Sequence, residues 1–347
     1  MSKSDNTNKQ ERLFFFYTAE YLNHYLPRQA GQSSNTQKQY RIGLSQFYDF
    51  IGTYLHKDPA LFQFSDITHK LLLDYTEFLQ NERNLAESTV NVRIIALKEY
   101  LHYMSDSNVE IVPAYLVAKR LPLLTVPKVR RPVLNKKSLK ILFELPPKSR
   151  LGNRDRFILI LLYDAGVRVN EIVEITLGDI SIHDKEVSIL IDGKGRKQRV
   201  ITLSQYAAPH VIGYMKAYHQ QPYTPDVPLL YTQIHGVMHR MSIRNVERIV
   251  KKYGVLAHES HEEMPDSVYP HMMRRSRFTN LYQDGVPIEQ IAALAGHSSV
   301  DTTRTHYAFP ADEQMHTMMD KSKETMPDSE KEWIGKTDEI KRRFGLI

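Results

Sequence analysis

The chain contains no cysteine in 347 residues. That rules out disulfides, thiolate nucleophiles and cysteine-ligated zinc, and it fits a reducing compartment. No uninterrupted apolar run approaches the ~18 residues that a membrane span needs. The opening residues, MSKSDNTNKQER, are polar, and no apolar core follows at signal-peptide spacing. A cytoplasmic protein with no membrane partner is expected. Internal repeats and low-complexity stretches are missing as well. What is present suits a folded protein: 41% hydrophobic and 25% charged residues support a packed core. The length suggests about two domains. The net charge of +6 is a mild excess that suits a polyanionic partner.

Residues 13 to about 120 read as successive helices. Leu13, Phe14, Tyr17, Tyr21 and Tyr25 form a helical apolar stripe that Pro27 is expected to end. Tyr40, Leu44, Phe47, Ile51 and Leu55 recur at three- and four-residue steps. Thr68 is placed to cap a helix burying Leu71, Leu72, Tyr75 and Leu79, and Ser88 to cap one burying Val90, Ile94, Leu97 and Leu101. Nothing alternates with period two, so this half reads as a small helical bundle. The outward face of the Ser88 helix carries Thr89, Asn91, Arg93 and Lys98. It is either a solvated face or one laid against DNA, with Arg93 and Lys98 on phosphates.

A change of composition follows. Residues 121–137, LPLLTVPKVRRPVLNKK, hold three prolines that forbid a regular helix or central strand. Lys128, Arg130 and Arg131 make the stretch basic, as an extended linker along a phosphate backbone would be. The expected organisation is a helical first domain over 1–122, a linker over 123–137, a second domain over 138–318 and a tail over 319–347. The second half is expected to hold helices near 137–144, 154–166, 168–174, 205–219, 242–256, 271–284, 287–295 and 299–306. Residues 187–191 and 199–203 read as strands joined through DGKGRKQ, a hairpin. The fold class is mainly α with a small antiparallel sheet.

Four clusters in this half could carry chemistry: GVRVNEI with Arg168 and Glu171, GKGRKQR with Lys194, HMMR with His271 and Arg274, and AGHSS followed by TTRTHY with His297 and Tyr307. A reaction at a phosphodiester needs positive charge on both non-bridging oxygens, and two guanidinium forks, Arg168 and Arg274, fit that geometry. It needs a nucleophile, for which a phenol serves, and a base near neutral pH, for which histidine serves. It needs an acid for the leaving 5′ oxygen, and a lysine among other cations can donate. Each part has a plainer reading. Arg168 can simply pair with Glu171, and GKGRK can be a solvated turn. The stretch AHESHEEM, with His258, His261, Glu262 and Glu263, is either a metal site or a solvated loop.

In order and spacing these clusters resemble the tyrosine recombinases, or phage integrase family, including Xer-like enzymes and mobile-element integrases. The resemblance runs over about residues 10–310 and is strongest from Gly166 to Tyr307. It implies a helical, SAM-like core-binding domain and an α+β catalytic domain closing as a C-shaped clamp on DNA. It implies site-specific strand cleavage and rejoining through a 3′-phosphotyrosyl link, without cofactor or metal. Carried over, Arg168 and Arg274 resemble the clamp arginines, Lys194 the acid, His271 the base, His297 a phosphate ligand and Tyr307 the nucleophile. DNA contacts are then expected from Arg93, Lys98, Lys128, Arg130, Arg131, Arg196, Lys197, Arg199 and Arg275.

The implied partners are duplex DNA with specific sites, a homotetramer on two sites, and an accessory DNA-bending protein; the tail is expected to dock on a neighbouring protomer. A type IB topoisomerase-like relaxing enzyme, or a catalytically silent DNA-binding protein of this fold, are the alternatives. Two departures stand out. In the family the tyrosine usually lies nine residues after the Gly-His histidine; here His306 holds that position and Tyr307 comes one later. One residue is about 100° of helix, so a loop or bulge is expected to re-aim the side chain. Arg275 stands where the family often has a histidine.

Overall fold

Residues 10–127, 131–193, 198–219, 221–297, 299–308 and 337–347 are described by the computed structural model. They fall into two units, divided between Arg130 and Arg131. Helical apolar spacing builds the first unit from α1 (Ser34–Asp49), α2 (His69–Glu77), α3 (Glu87–Ser107) and α4 (Val112–Arg120). Its core is aromatic. The Phe47 ring packs on Phe14 at 5.1 Å and edge-on to Tyr75 at 5.0 Å, contacts worth about 0.5–1.5 kcal/mol each beyond burial. The buried Tyr100 hydroxyl donates to the Phe14 carbonyl, 2.6 Å. At Gly43 a Cβ would stand 2.8 Å from that of Ala96, so only glycine allows α1 to approach α3 this closely.

Several expectations are corrected here. Pro27 does not end its helix: it lies inside a π-helical segment, Tyr21–Gln29, closed by Ala30 N–H on the Tyr25 carbonyl. The wide turn carries the chain past a residue that cannot donate. Thr68 does cap α2, accepting from Leu71 N–H at 3.2 Å. Ser88 does not cap α3; the N-cap position is Ala86, with Glu87 in the first turn. The supposed outward face of α3 is packed. Arg93 is 7% exposed and donates to the side chains of Gln46 and Gln39, both at 2.8 Å. Lys98 Nζ donates to the Leu121 carbonyl at 2.6 Å, and Asn91 bonds Leu124 through both backbone groups. The reason is that α3 lies between α1 and α4, so a second face is covered.

The second unit opens with α5 (Lys136–Glu144), α6 (Arg150–Asp164) and α7 (Val169–Glu174). A three-stranded antiparallel sheet follows, β1 (Ile180–His183), β2 (Glu186–Asp192) and β3 (Gln198–Thr202), in the order β1-β2-β3. Val187, Ile189 and Ile191 alternate into the core. Next come α8 (Ala208–Tyr218), a hairpin of β4 (Tyr231–Ile234) and β5 (Val237–Arg240), then α9 (Ile243–Ser260), α10 (Pro270–Gln283), α11 (Ile288–Ala295) and α12 (Val300–Tyr307). β1 and the β4–β5 hairpin are additions to the sequence reading. His235 and Gly236 join the latter with positive φ (50° and 80°), as a two-residue hairpin turn demands. The residues leading into α5 are fixed on α10: Leu134 is buried, its N–H donates to Ser276 Oγ at 2.7 Å, and its carbonyl accepts from Asn280.

Candidate active site

Two turns of chain, one after α6 and one after α11, meet around α10. At the first, Gly166 takes a left-handed φ of 57° that turns the chain out of α6, and Arg168 sits at the N-cap of α7. Glu171, one turn on and buried, accepts from the Arg168 backbone N–H and from its guanidinium, both at 2.9 Å. Arg199 on β3 grips the same carboxylate with two N–H groups, at 2.7 and 3.2 Å. Burial pushes the Glu171 pKa up, but the hydrogen bonds from Arg199 and Arg168 outweigh it and the net shift is downward. The plainer reading of Arg168, as partner of Glu171, holds as a contact. Yet its side chain is 41% exposed, leaving an outer edge open to a ligand.

Arg274 on α10 is the hub. It is 1% exposed, and its guanidinium donates to the carbonyls of Gly166 and Ala295, the latter at 2.6 Å. It lies over the Phe278 ring, one turn on, and its charge is felt by the Tyr307 phenol close by. Gly166 and Ala295 each stand two residues before a site residue, Arg168 and His297. His271, three residues before Arg274, keeps solvent contact at its outer edge. The packed side chains beneath it, then the charges of Arg275, Arg274 and Arg131, bring its pKa down to about 4.

α11 ends on Gly296 with φ 65°, a left-handed cap that releases His297. One ring nitrogen of His297, Nδ1, bonds Thr303 Oγ1 at 2.9 Å, and the ring stacks on Tyr307 at 5.8 Å and 15°. Burial, then Arg274 and Arg168, lower the His297 pKa to about 4. Thr303 and Tyr307 are four apart on α12 and both buried, while His306 is exposed. Of the expected loop or bulge, a bulge is not found within α12: residues 300–307 are one unbroken α-helix. Its ordinary period faces 303 and 307 inward and turns 306 outward.

Two expected DNA ligands in this unit are corrected too. The Arg199 side chain is 12% exposed and engaged with Glu171 and, through Nε, with the Leu294 carbonyl. Arg275 is buried, with its guanidinium 3.4 Å from the Pro132 carbonyl. Arg131 is exposed. Lys194, Arg196, Lys197, Lys128 and Arg130 lie outside the described residues. In AHESHEEM, His258 Nδ1 faces the Met264 carbonyl at 2.8 Å, and no group of three or more His, Cys, Asp or Glu placed to hold a metal occurs among the described residues.

Residues 132–314 match the phage integrase family, and residues 13–106 match its SAM-like domain. The chain belongs to the phage integrase family. The tyrosine recombinase XerC of Thermodesulfovibrio yellowstonii is 27% identical over 301 residues, 84% of this chain and 91% of that one. XerA of Thermococcus kodakarensis is 31% identical over 189 residues, 54% of this chain and 62% of that one. Among solved structures, XerH bound to a palindromic difH substrate after cleavage aligns with a TM-score of 0.66 at 18% identity, covering 87% of this chain and 84% of that one. A lambda integrase tetramer bound to a Holliday junction aligns at 0.60 and 14%, covering 90% and 83%. These structural likenesses show the fold. No helix among the described residues is long and apolar enough to cross a membrane.

Within this family member, sequence reading missed Thr303, Phe278 and the role of Arg199. Thr303 and Phe278 each stand four residues from a site residue on the same helix, a signal that was readable. The Arg199–Glu171 contact joins positions 28 apart and had no local signal.

Proposed function

We propose that this chain is a site-specific DNA recombinase, serving a mobile element or phage, that cuts and rejoins strands through a 3′-phosphotyrosyl link to Tyr307. The observation that carries the reading is Arg274: one buried guanidinium binds the two carbonyls that lead to Arg168 and His297, and Tyr307 packs on its neighbour Phe278 and on His297. Arg168 and Arg274 take the non-bridging oxygens of the scissile phosphate. His271, neutral at pH 7, accepts the phenol proton. The phenolic oxygen bonds to phosphorus, the P–O5′ bond breaks, and Lys194 protonates the leaving oxygen. His297, held by Thr303, turns its other nitrogen to the phosphate. Rejoining reverses these steps.

Arg131, exposed and close enough for its charge to depress His271, takes a flanking phosphate. The partners are duplex DNA carrying specific sites, three further copies of the chain on two such sites, and an accessory DNA-bending protein, in the cytoplasm. XerH bound to its difH substrate and the lambda integrase tetramer, by their own descriptions, support the DNA and the tetramer. The match to a SAM-like domain over 13–106 favours a recombinase over a topoisomerase. The end of the tail, with Phe344, Leu346 and Ile347 63%, 70% and 66% exposed, docks on a neighbouring protomer.

The test is to trap the protein on DNA from its own genomic neighbourhood and sequence the ends joined to it. Tyr307→Phe loses the covalent adduct and keeps DNA binding. Adducts that persist in that variant, or efficient relaxation of supercoils without any site, overturn the reading.

A further inference from the structure

Arg199 lies outside the set of groups that the reaction scheme uses, yet it is among the most committed cations in the unit. Its side chain is 12% exposed. Two of its N–H groups close on the Glu171 carboxylate, at 2.7 and 3.2 Å, a bidentate fork. Its Nε donates to the Leu294 carbonyl at 3.2 Å, in the last turn of α11. At Gly296 an added Cβ would stand 3.2 Å from Arg199 Nη1, so the cap residue is bare where the guanidinium lies. Glu171 meanwhile holds Arg168 by its backbone N–H and by its guanidinium. Arg168 and Arg199 share both carboxylate oxygens. Without Arg199, Glu171 would be free to turn wholly onto Arg168 and draw that guanidinium inward, away from a phosphate.

We propose that Arg199 is a positioning residue of the phosphate clamp: it competes for Glu171 and thereby leaves Arg168 free to face the scissile phosphate. The proposal rests on Arg168 being a clamp arginine. Anchored on the Leu294 carbonyl, Arg199 also ties the β2–β3 hairpin to the turn that presents His297. Its charge is spent inside the unit, so it adds nothing to DNA affinity.

The test uses the full chain in single-turnover cleavage of a nicked duplex carrying the site recovered by trapping. The scissile group is either a phosphate or a methylphosphonate, which lacks one charged oxygen and so needs less from the clamp. Arg199→Ala is expected to cut the phosphate on the order of 100-fold more slowly, with DNA affinity within about threefold of the unaltered protein. On methylphosphonate its deficit shrinks by roughly tenfold, as does that of Arg168→Ala. Arg199→Lys keeps a charge beside Glu171 but loses the fork; it protects the fold and falls between. An equal deficit on both substrates, in either Arg199 variant, marks a merely structural role and overturns the proposal. So does cleavage by Arg199→Ala at the unaltered rate. If Arg168→Ala itself cleaves normally, it is the clamp reading that fails.

Discussion

Thr303 fixes which nitrogen of His297 faces the reaction. Its hydroxyl takes Nδ1 at 2.9 Å, leaving Nε2 as the nitrogen that can meet a phosphate oxygen. Thr303→Val keeps the shape and removes the bond. Single-turnover cleavage is expected to fall roughly 10- to 100-fold, since small misplacements of a reacting group cost that much, while DNA affinity holds. An unchanged rate would show that stacking on Tyr307 alone orients the ring. The two histidines also set a pH dependence of stability. Both have folded-state pKa values of about 4, below the 6.5 of a free imidazole. The stability they permit is complete above pH 6.5. Between 6.5 and 4 the unfolded chain binds protons that the native site refuses, so stability falls as pH falls. The Tm at pH 5 is expected to lie on the order of 5 °C below that at pH 7.5. Most of the drop comes from His297, because His271 is open to water. Replacing both by Gln should flatten the curve between those pH values; a drop that survives in that variant belongs to other groups.

At the scale of elements, Gly166 carries the clearest prediction. Its φ is 57°, and a Cβ there would stand 2.8 Å from the Phe278 ring. Gly166→Ala combines backbone strain with overpacking, and about 2–4 kcal/mol of stability should be lost in urea titration. Adding Phe278→Leu vacates the ring's place and should return part of that loss; purely additive effects would refute the steric account. The helices themselves were largely legible, because their apolar residues repeat at 3.6 and α2 has a side-chain cap. The missed strands are four residues long and exposed over most of their length, which leaves little alternation to read. Arg93 was misread because the stripe of α3 describes one covered face, while α4 covers another. The site was legible where its residues lie in contiguous motifs. It was illegible where tertiary contact alone decides, as between Arg199 and Glu171. Within α12 the placement of Tyr307 follows the ordinary helical period: Thr303, one turn earlier, marks the same inward face.

At the scale of the molecule, the net charge of +6 is the small remainder of 46 basic and 40 acidic residues. Affinity for DNA then depends on which cations are free to leave their protein partners, not on the sum. Salt dependence measures that number directly, each phosphate contact adding about 0.9 to the slope of log K against log salt. Arg131 is exposed, so Arg131→Gln should lower the slope by about one. Arg93 is the opposite case, 7% exposed and bonded to Gln39 and Gln46. Arg93→Gln should leave the slope unchanged and instead cost about 1–3 kcal/mol of stability, as two amides lose their donor. The pair separates two uses of arginine that composition cannot. If Arg93→Gln also lowers the slope by about one, the guanidinium reaches a phosphate in the complex, and its bonds to α1 are exchanged for DNA on binding.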